Sequence, residues 1–361
     1  MLAINNIEND KTKKIRLGFY PYTYVRTAVM RTLLISKEEY PKLLKMSFNE
    51  ITRYLQDSIY KKEIDSLATE LSGPELLEIA LNRNLATSFE KLRRISPEEL
   101  NVLIDHYLKR KDVEDIKTIL RGKYTKMDKK SVINSLQAAG TLSLDFLKKL
   151  IEFETMEKIL QNIKIFDFTN FKEAIKEFEE KNILAPIENS LDKAYYKEIL
   201  EFTKELPIEG KLFKDFLIQE IEIKNLLTLI RLKRENLNKN EIQKYLFFSG
   251  DREAGKDLNK LLSVDNIEDI TKKVGKKDYK NILEEGFKNL SETNSLISLE
   301  TELYKYLLDR CILLLHQHPL SVDVILGYMF AKEIEVRNLR ILIKGKQLGL
   351  KEDFIEKQLV V

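Results

Sequence analysis

Three stretches of this chain end alike, and that internal repetition limits its possible folds more than any other feature. Asp115–Lys123, Asn225–Lys233 and Asn338–Lys346 each open on Asp or Asn, continue through aliphatic residues and finish on two cations. The equivalent cations Arg121, Arg231 and Lys344 are separated by 110 and 113 residues. A second landmark, an aliphatic residue followed by Glu-x-x-Leu, occurs at Leu77-Glu78 with Leu81, Ile187-Glu188 with Leu191, and Leu299-Glu300 with Leu303. Its glutamates precede the later cations by 43, 43 and 44 residues, so the two landmarks keep step. A weaker third landmark, Leu43-Leu44, Leu150-Ile151 and Leu261-Leu262, opens each unit.

The chain therefore divides into an N-terminal extension, residues 1–20, and three units at 21–140, 141–250 and 251–361. Each unit is a small domain, far longer than the roughly 34–47 residues of common helical solenoid repeats. Three like domains form either a row or a ring around a pseudo-threefold axis, where equivalent surfaces share one centre. The repeat spacing leaves both open.

Periodicity within the units is helical. Leu100, Leu103, Ile104, Tyr107 and Leu108 recur at the spacing of one buried stripe. Ser96-Pro97-Glu98-Glu99 ahead of them has the form of a capping box. Ser72-Gly73-Pro74-Glu75 marks a second helix start. Segments that alternate apolar and polar residues are scarce, and with only 12 Gly and 7 Pro the expected fold class is all-α.

Glu78, Glu188 and Glu300 share a helix face with apolar neighbours, where an unpaired carboxylate is costly. Arg121, Arg231 and Lys344 stand at constant separation and are the expected partners within each unit. A proton-carrying or catalytic role competes with this clamp, but a catalytic site rarely occurs three times in one chain. Exchange of carboxylate for amide at Asp115, Asn225 and Asn338 points to hydrogen bonding there. His316 and His318 are two residues apart and do not share a helix face, and no Cys or Asp cluster stands near them. His106 is expected at the surface. Gly122-Lys123 and Gly345-Lys346 lack the remainder of a phosphate loop and read as helix ends. No metal, cofactor or catalytic residue is expected.

Lys plus Arg at 61 nearly cancels Asp plus Glu at 58, which argues against a nucleic-acid partner. One cysteine, Cys311, lies in an apolar run, as expected of a buried residue in an intracellular protein. Met1–Asn6 is too short for a secretory signal, and no apolar run approaches membrane-spanning length. Lys11–Arg16, followed by Tyr20, Tyr22 and Tyr24, places basic residues beside aromatics. That composition fits a headgroup surface or an acidic partner, against the simpler expectation of a solvated terminus.

Tyr22–Met30, Leu33-Leu34 and Tyr40–Leu44 resemble the opening of the C subunit of A/V-type ATPases, related to the d subunit of the eukaryotic V-type enzyme. The Asp115–Lys123 ending, its two echoes and the three-unit layout resemble the same family. In that family's pattern a glycine stands between the two final cations; Leu232 replaces it in the second unit and leaves that helix end an open question. The resemblance implies a funnel of three pseudo-equivalent helical domains, non-catalytic and without cofactor. It would be held peripherally on the cytoplasmic face of a membrane, with no homo-oligomer expected. Its implied partners are the central-stalk subunits and the membrane proteolipid ring, and its implied task is to couple them for ATP-linked proton or sodium transport. Arg121, Lys123, Arg231, Lys233, Lys344 and Lys346 would then converge as a mouth of cations for acidic stalk residues. The alternative is a helical scaffold that binds partner helices in a groove.

Overall fold

The scarcity of helix breakers leaves long uninterrupted helical runs. The computed structural model describes residues 17–247, 258–264, 269–274, 279–293, 295–317 and 320–361, and among them every regular element is a helix. Lys11–Arg16 and His318 lie outside the described residues, as does the side chain of His316.

Three pairs of long helices dominate. Gly73–Arg94, Ala185–Glu205 and Ile297–Gln317 carry the repeated glutamates and are here termed glutamate helices. Glu98–Tyr124, Lys211–Arg234 and Asp323–Gln347 carry the Asp/Asn and cation positions and are termed cation helices. The first glutamate helix starts as expected, with Ser72 in extended backbone and Pro74 in its first turn. The first cation helix starts one residue later than the Ser96 box implies. Pro97 is its N-cap, and the Ser96 hydroxyl instead donates to the Leu92 carbonyl at 2.7 Å. In a connection this short, the serine serves the orphan carbonyls of the helix it ends. Working capping boxes occur at Ser36/Glu39, Ser47/Glu50 and Asn238/Glu241.

The three cation helices end alike. Lys126, Asn236 and Gly349 adopt positive φ (55°, 58° and 66°). The next N–H groups, on Met127, Leu237 and Leu350, donate to the carbonyls of Gly122, Leu232 and Gly345 at 2.9, 3.1 and 2.9 Å. Leu232 thus leaves the second helix end intact. The two glycines have a packing reason instead. A Cβ on Gly122 would lie 2.4 Å from Val132 Cγ2, and one on Gly345 would lie 2.6 Å from Ile355 Cδ1.

Each cation helix lies against the glutamate helix that comes later in the chain: Glu98–Tyr124 on Ala185–Glu205, and Lys211–Arg234 on Ile297–Gln317. The last one, Asp323–Gln347, returns to Gly73–Arg94. Leu77, Ile187 and Leu299, with Leu81, Leu191 and Leu303, are buried, as are all six residues of the third landmark. Burial of each such side chain is worth about 1.5–3 kcal/mol. Cys311 is fully buried.

Candidate functional site

The repeated glutamates and cations meet, but not as their constant spacing predicts. Arg121 donates from Nε and Nη2 to the two carboxylate oxygens of Glu188, at 2.6 and 3.0 Å. Arg231 pairs with Glu300, and Lys344 Nζ stands 3.5 Å from Glu78. The expected pairs within each unit are therefore replaced by pairs to the next glutamate helix, the third returning to the first. The cause is the packing just described: the last turn of a cation helix ends beside a neighbouring glutamate helix. With the cation side chains 52–60% exposed, each pair is worth no more than about 0.2–1 kcal/mol.

The second cations behave differently. Lys123 Nζ donates to the Ile151 carbonyl at 3.4 Å, Lys233 to those of Leu262 and Val264, and Lys346 to that of Leu44. Ile151, Leu262 and Leu44 belong to the third sequence landmark. Three of the six predicted mouth cations are thus tied to backbone at the ends of short helices, where a cation satisfies orphan carbonyls.

At the Asp/Asn position the expected hydrogen-bonding role is filled. Asn225 Oδ1 accepts the Phe247 N–H and its Nδ2 donates to the Phe247 carbonyl, at 2.8 and 2.7 Å. Asn338 treats Val360 identically, at 2.9 and 2.7 Å. Asp115 lacks the amide N–H of the other two and accepts two N–H groups, from Gln137 and Ala138, at 2.7 and 2.8 Å. Burial pushes its carboxyl up to about 7, with those two N–H groups opposing and Asp112 and Glu114 adding to the rise. One turn away, Asp112 accepts from the Thr141 N–H and hydroxyl and from the Leu142 N–H.

Two buried clusters carry no sequence signal. Arg110 Nη1 donates to Glu220 at 2.8 Å, while its Nη2 stands 2.6 Å from Glu333. Its guanidinium lies 3.8 Å from the Tyr107 ring centre. Positions 110, 220 and 333 are separated by the same 110 and 113 residues as the repeated cations, so a residue at one of three equivalent positions touches both of the others. The second cluster joins the two ends of the chain. Lys332 Nζ lies 2.7 Å from Glu335 and 2.8 Å from the Tyr60 hydroxyl, which itself donates to Glu335. The Ile35 N–H completes the Glu335 shell at 2.6 Å. Burial pulls Lys332 down and Tyr60 up from their ordinary values.

His106, expected at the surface, is half-buried and stacks on Phe202 with centroids 3.9 Å apart. Burial depresses its pKa, with the Val102 carbonyl opposing. Beside the Arg110 cluster an open cavity of about 400 Å³ is lined by Glu114, Glu188, Lys224, Arg231, Glu300 and Tyr304, among others. Both charge signs and aromatic rings face it. Among the described residues no group of His, Cys, Asp and Glu could hold a metal. No helix among them is long and apolar enough to cross a membrane.

Residues 24–358 match the family model described as ATP synthase (C/AC39) subunit. The chain is 39% identical to the A-type ATP synthase C subunit of Methanococcoides burtonii, over 95% of this chain and 94% of that protein. It is 37% identical to the equivalent protein of Methanosarcina acetivorans, over 98% and 96%. Against that of Halobacterium salinarum the identity is 31%, over 95% and 97%.

Proposed function

The chain belongs to the ATP synthase (C/AC39) subunit family, and on that premise we propose that it is a non-catalytic rotor subunit of an A/V-type ATPase. In this reading it is a socket between the central stalk and the membrane proteolipid ring. The observation that carries it is the closed cycle of joints: Arg121 to Glu188, Arg231 to Glu300, Lys344 to Glu78. Head-to-tail contacts of this kind generate a ring when their rotation closes. The meeting of Arg110, Glu220 and Glu333 adds support, because equivalent positions touch only near a common axis. Residues 21–140, 141–250 and 251–361 are then three pseudo-equivalent domains, open at one end as a funnel.

The mixed-charge cavity at the end of the cation helices is the proposed seat of the stalk foot. Arg121, Arg231 and Lys344 keep exposed faces beyond their carboxylates and would meet acidic stalk residues, setting encounter rate and salt sensitivity. Lys123, Lys233 and Lys346 brace the joints. Torque suits such a body, since close-packed helices transmit strain with little give. The protein would work peripherally at the cytoplasmic face, as a single copy, without cofactor or nucleic acid.

The test is co-purification with a tag after Val361 from gently solubilised membranes. Recovery of stalk, catalytic and proteolipid subunits together is the expected result. A soluble protein that brings none of them would overturn the proposal.

A further inference from the structure

One helical turn below the repeated glutamates and cations, the three joints differ. Lys117, Leu227 and Arg340 lie four residues before the repeated cations, at the same separations of 110 and 113. Asn82, Asp192 and Tyr304 lie four residues after the repeated glutamates, at separations of 110 and 112. At the first joint the two positions form an ion pair, Lys117 Nζ with Asp192 at 2.5 Å. At the second both are uncharged, Leu227 and Tyr304. At the third, Arg340 meets a neutral amide. Its Nη2 donates to Asn82 Oδ1, and Asn82 Nδ2 donates to the Leu136 carbonyl at 3.2 Å. The joint that closes the cycle thus has the cation of the first joint without its carboxylate.

Arg340 is half-buried, and among the described residues no carboxylate forms an ion pair with it. Burial pulls it below its ordinary value, although Glu114, Glu78 and Asp115 oppose the shift. Those three acids are engaged elsewhere: Glu114 by Lys111, Glu78 by Lys344, and Asp115 by two N–H groups. Beside the guanidinium lies an open cavity of about 390 Å³, walled by Arg340, Asn82, Lys344 and Glu78 and by Ser131 and Asn134 of the short helix Lys129–Ser135. Lys344 stands one turn beyond Arg340 on the same helix face. Its 3.5 Å contact with Glu78 is looser than the two-bonded grip of Arg121 on Glu188. Glu75, the other acid on the wall, is exposed and accepts from Asn134 at 2.9 Å. It lies two turns from Asn82, about 10 Å along the helix, which is about one Debye length.

We propose that this cavity binds a small oxyanion of the phosphate class, held by Arg340 and Lys344, which supplies at the closing joint the negative charge that Asp192 supplies at the first. A guanidinium fork takes two oxygens of such an anion side by side, and a lysine takes a third as a point charge. A carboxylate has only the two oxygens that the fork uses. A polyphosphate carries further charge that Glu75 and Glu78 oppose. The site does not depend on the rotor role: co-purification tests that role, and anion binding by the isolated chain tests the site.

The probe is inorganic phosphate, titrated into the full chain with chloride holding ionic strength constant, and read by calorimetry and melting point. Wild type gives a saturable isotherm and a melting point that rises with occupancy. R340Q weakens binding at least about tenfold, the factor of one lost charge-assisted hydrogen bond. N82D sets a carboxylate against Arg340, as Asp192 stands against Lys117, and weakens binding as much. K117Q, the same change at the first joint, leaves the affinity within about twofold, as expected of a distant site. Should N82D fail to fold, R340Q and K117Q decide between them. Four outcomes overturn the proposal: no saturable binding by wild type, an equal response to chloride (an adventitious ion only), wild-type affinity in R340Q or in folded N82D, or a loss in K117Q as large as that in R340Q.

Discussion

Replacing Arg110 by Met probes the centre of the molecule. The substitution removes the cation that pairs with Glu220 and one of two that contact Glu333, the other being Lys111 at 3.2 Å. Because these side chains are only 7–13% exposed, the two carboxylates are left in low dielectric and near each other. Breaking a buried ion pair in this way costs about 3–5 kcal/mol. Unfolding entropy of about 2.1 cal/mol/K per residue gives roughly 760 cal/mol/K for this chain, so the melting point falls by about 4–7 °C. The control is R110M/E220M/E333M, which replaces the whole cluster by apolar groups of similar length. Such replacement of a buried charge cluster is often neutral or stabilising by about 1–4 kcal/mol. Loss of the Tyr107 contact is common to both variants and cancels in their difference. Thermal unfolding followed by circular dichroism reads both. A triple variant no more stable than R110M, or an R110M melting point unchanged within error, would refute the reasoning that uncompensated buried charge sets the cost.

Asp115 links stability to pH. Its folded carboxyl at about 7 lies above the ordinary 3.8, so the native state holds the proton more tightly than the unfolded chain. That stability is fully present below about pH 4 and is lost as pH rises through 7. Asp115→Asn, the residue type of the other two repeats, makes the melting point less sensitive to a change from pH 5 to pH 8; equal sensitivity would contradict the assignment. Gly140→Ala places a Cβ 2.0 Å from Asp112 Oδ1 and disturbs its bonds to Thr141 and Leu142. The expected loss is about 2 kcal/mol or more in urea unfolding, and an unchanged midpoint would count against that geometry. Glu188→Gln costs less than about 1 kcal/mol in the same assay because the Arg121 side chain is 60% exposed; a loss above about 3 kcal/mol would show the joint to be stronger than its exposure implies.

The helical class was legible because apolar period and scarce helix breakers act locally. The joints were legible only in part. Leu77, Ile187 and Leu299 announce burial by recurring, and Asp115, Asn225 and Asn338 announce a hydrogen bond by exchanging acid for amide. Each of these roles is satisfied within about 22 residues or by a general apolar surface. Ser96 misled because hydroxyl and glutamate at capping distance do not reveal which helix the hydroxyl serves.

Partner choice for Glu78, Glu188 and Glu300 belongs to tertiary structure. In a repeated chain, a cation 43 residues after one glutamate also lies at a fixed distance before the next, so spacing fits both pairings equally. Packing of each cation helix on a neighbouring glutamate helix decides between them. Arg110, Glu220 and Glu333 were invisible for a related reason. Repeats reveal themselves through positions that stay the same, whereas positions that touch their own equivalents must differ, because three like charges cannot be buried together. Local pattern was therefore enough for the helices, the period and the residues at the joints. Which of those residues meet was settled when the last cation helix closed onto the first glutamate helix, a long-range contact that no local pattern encodes.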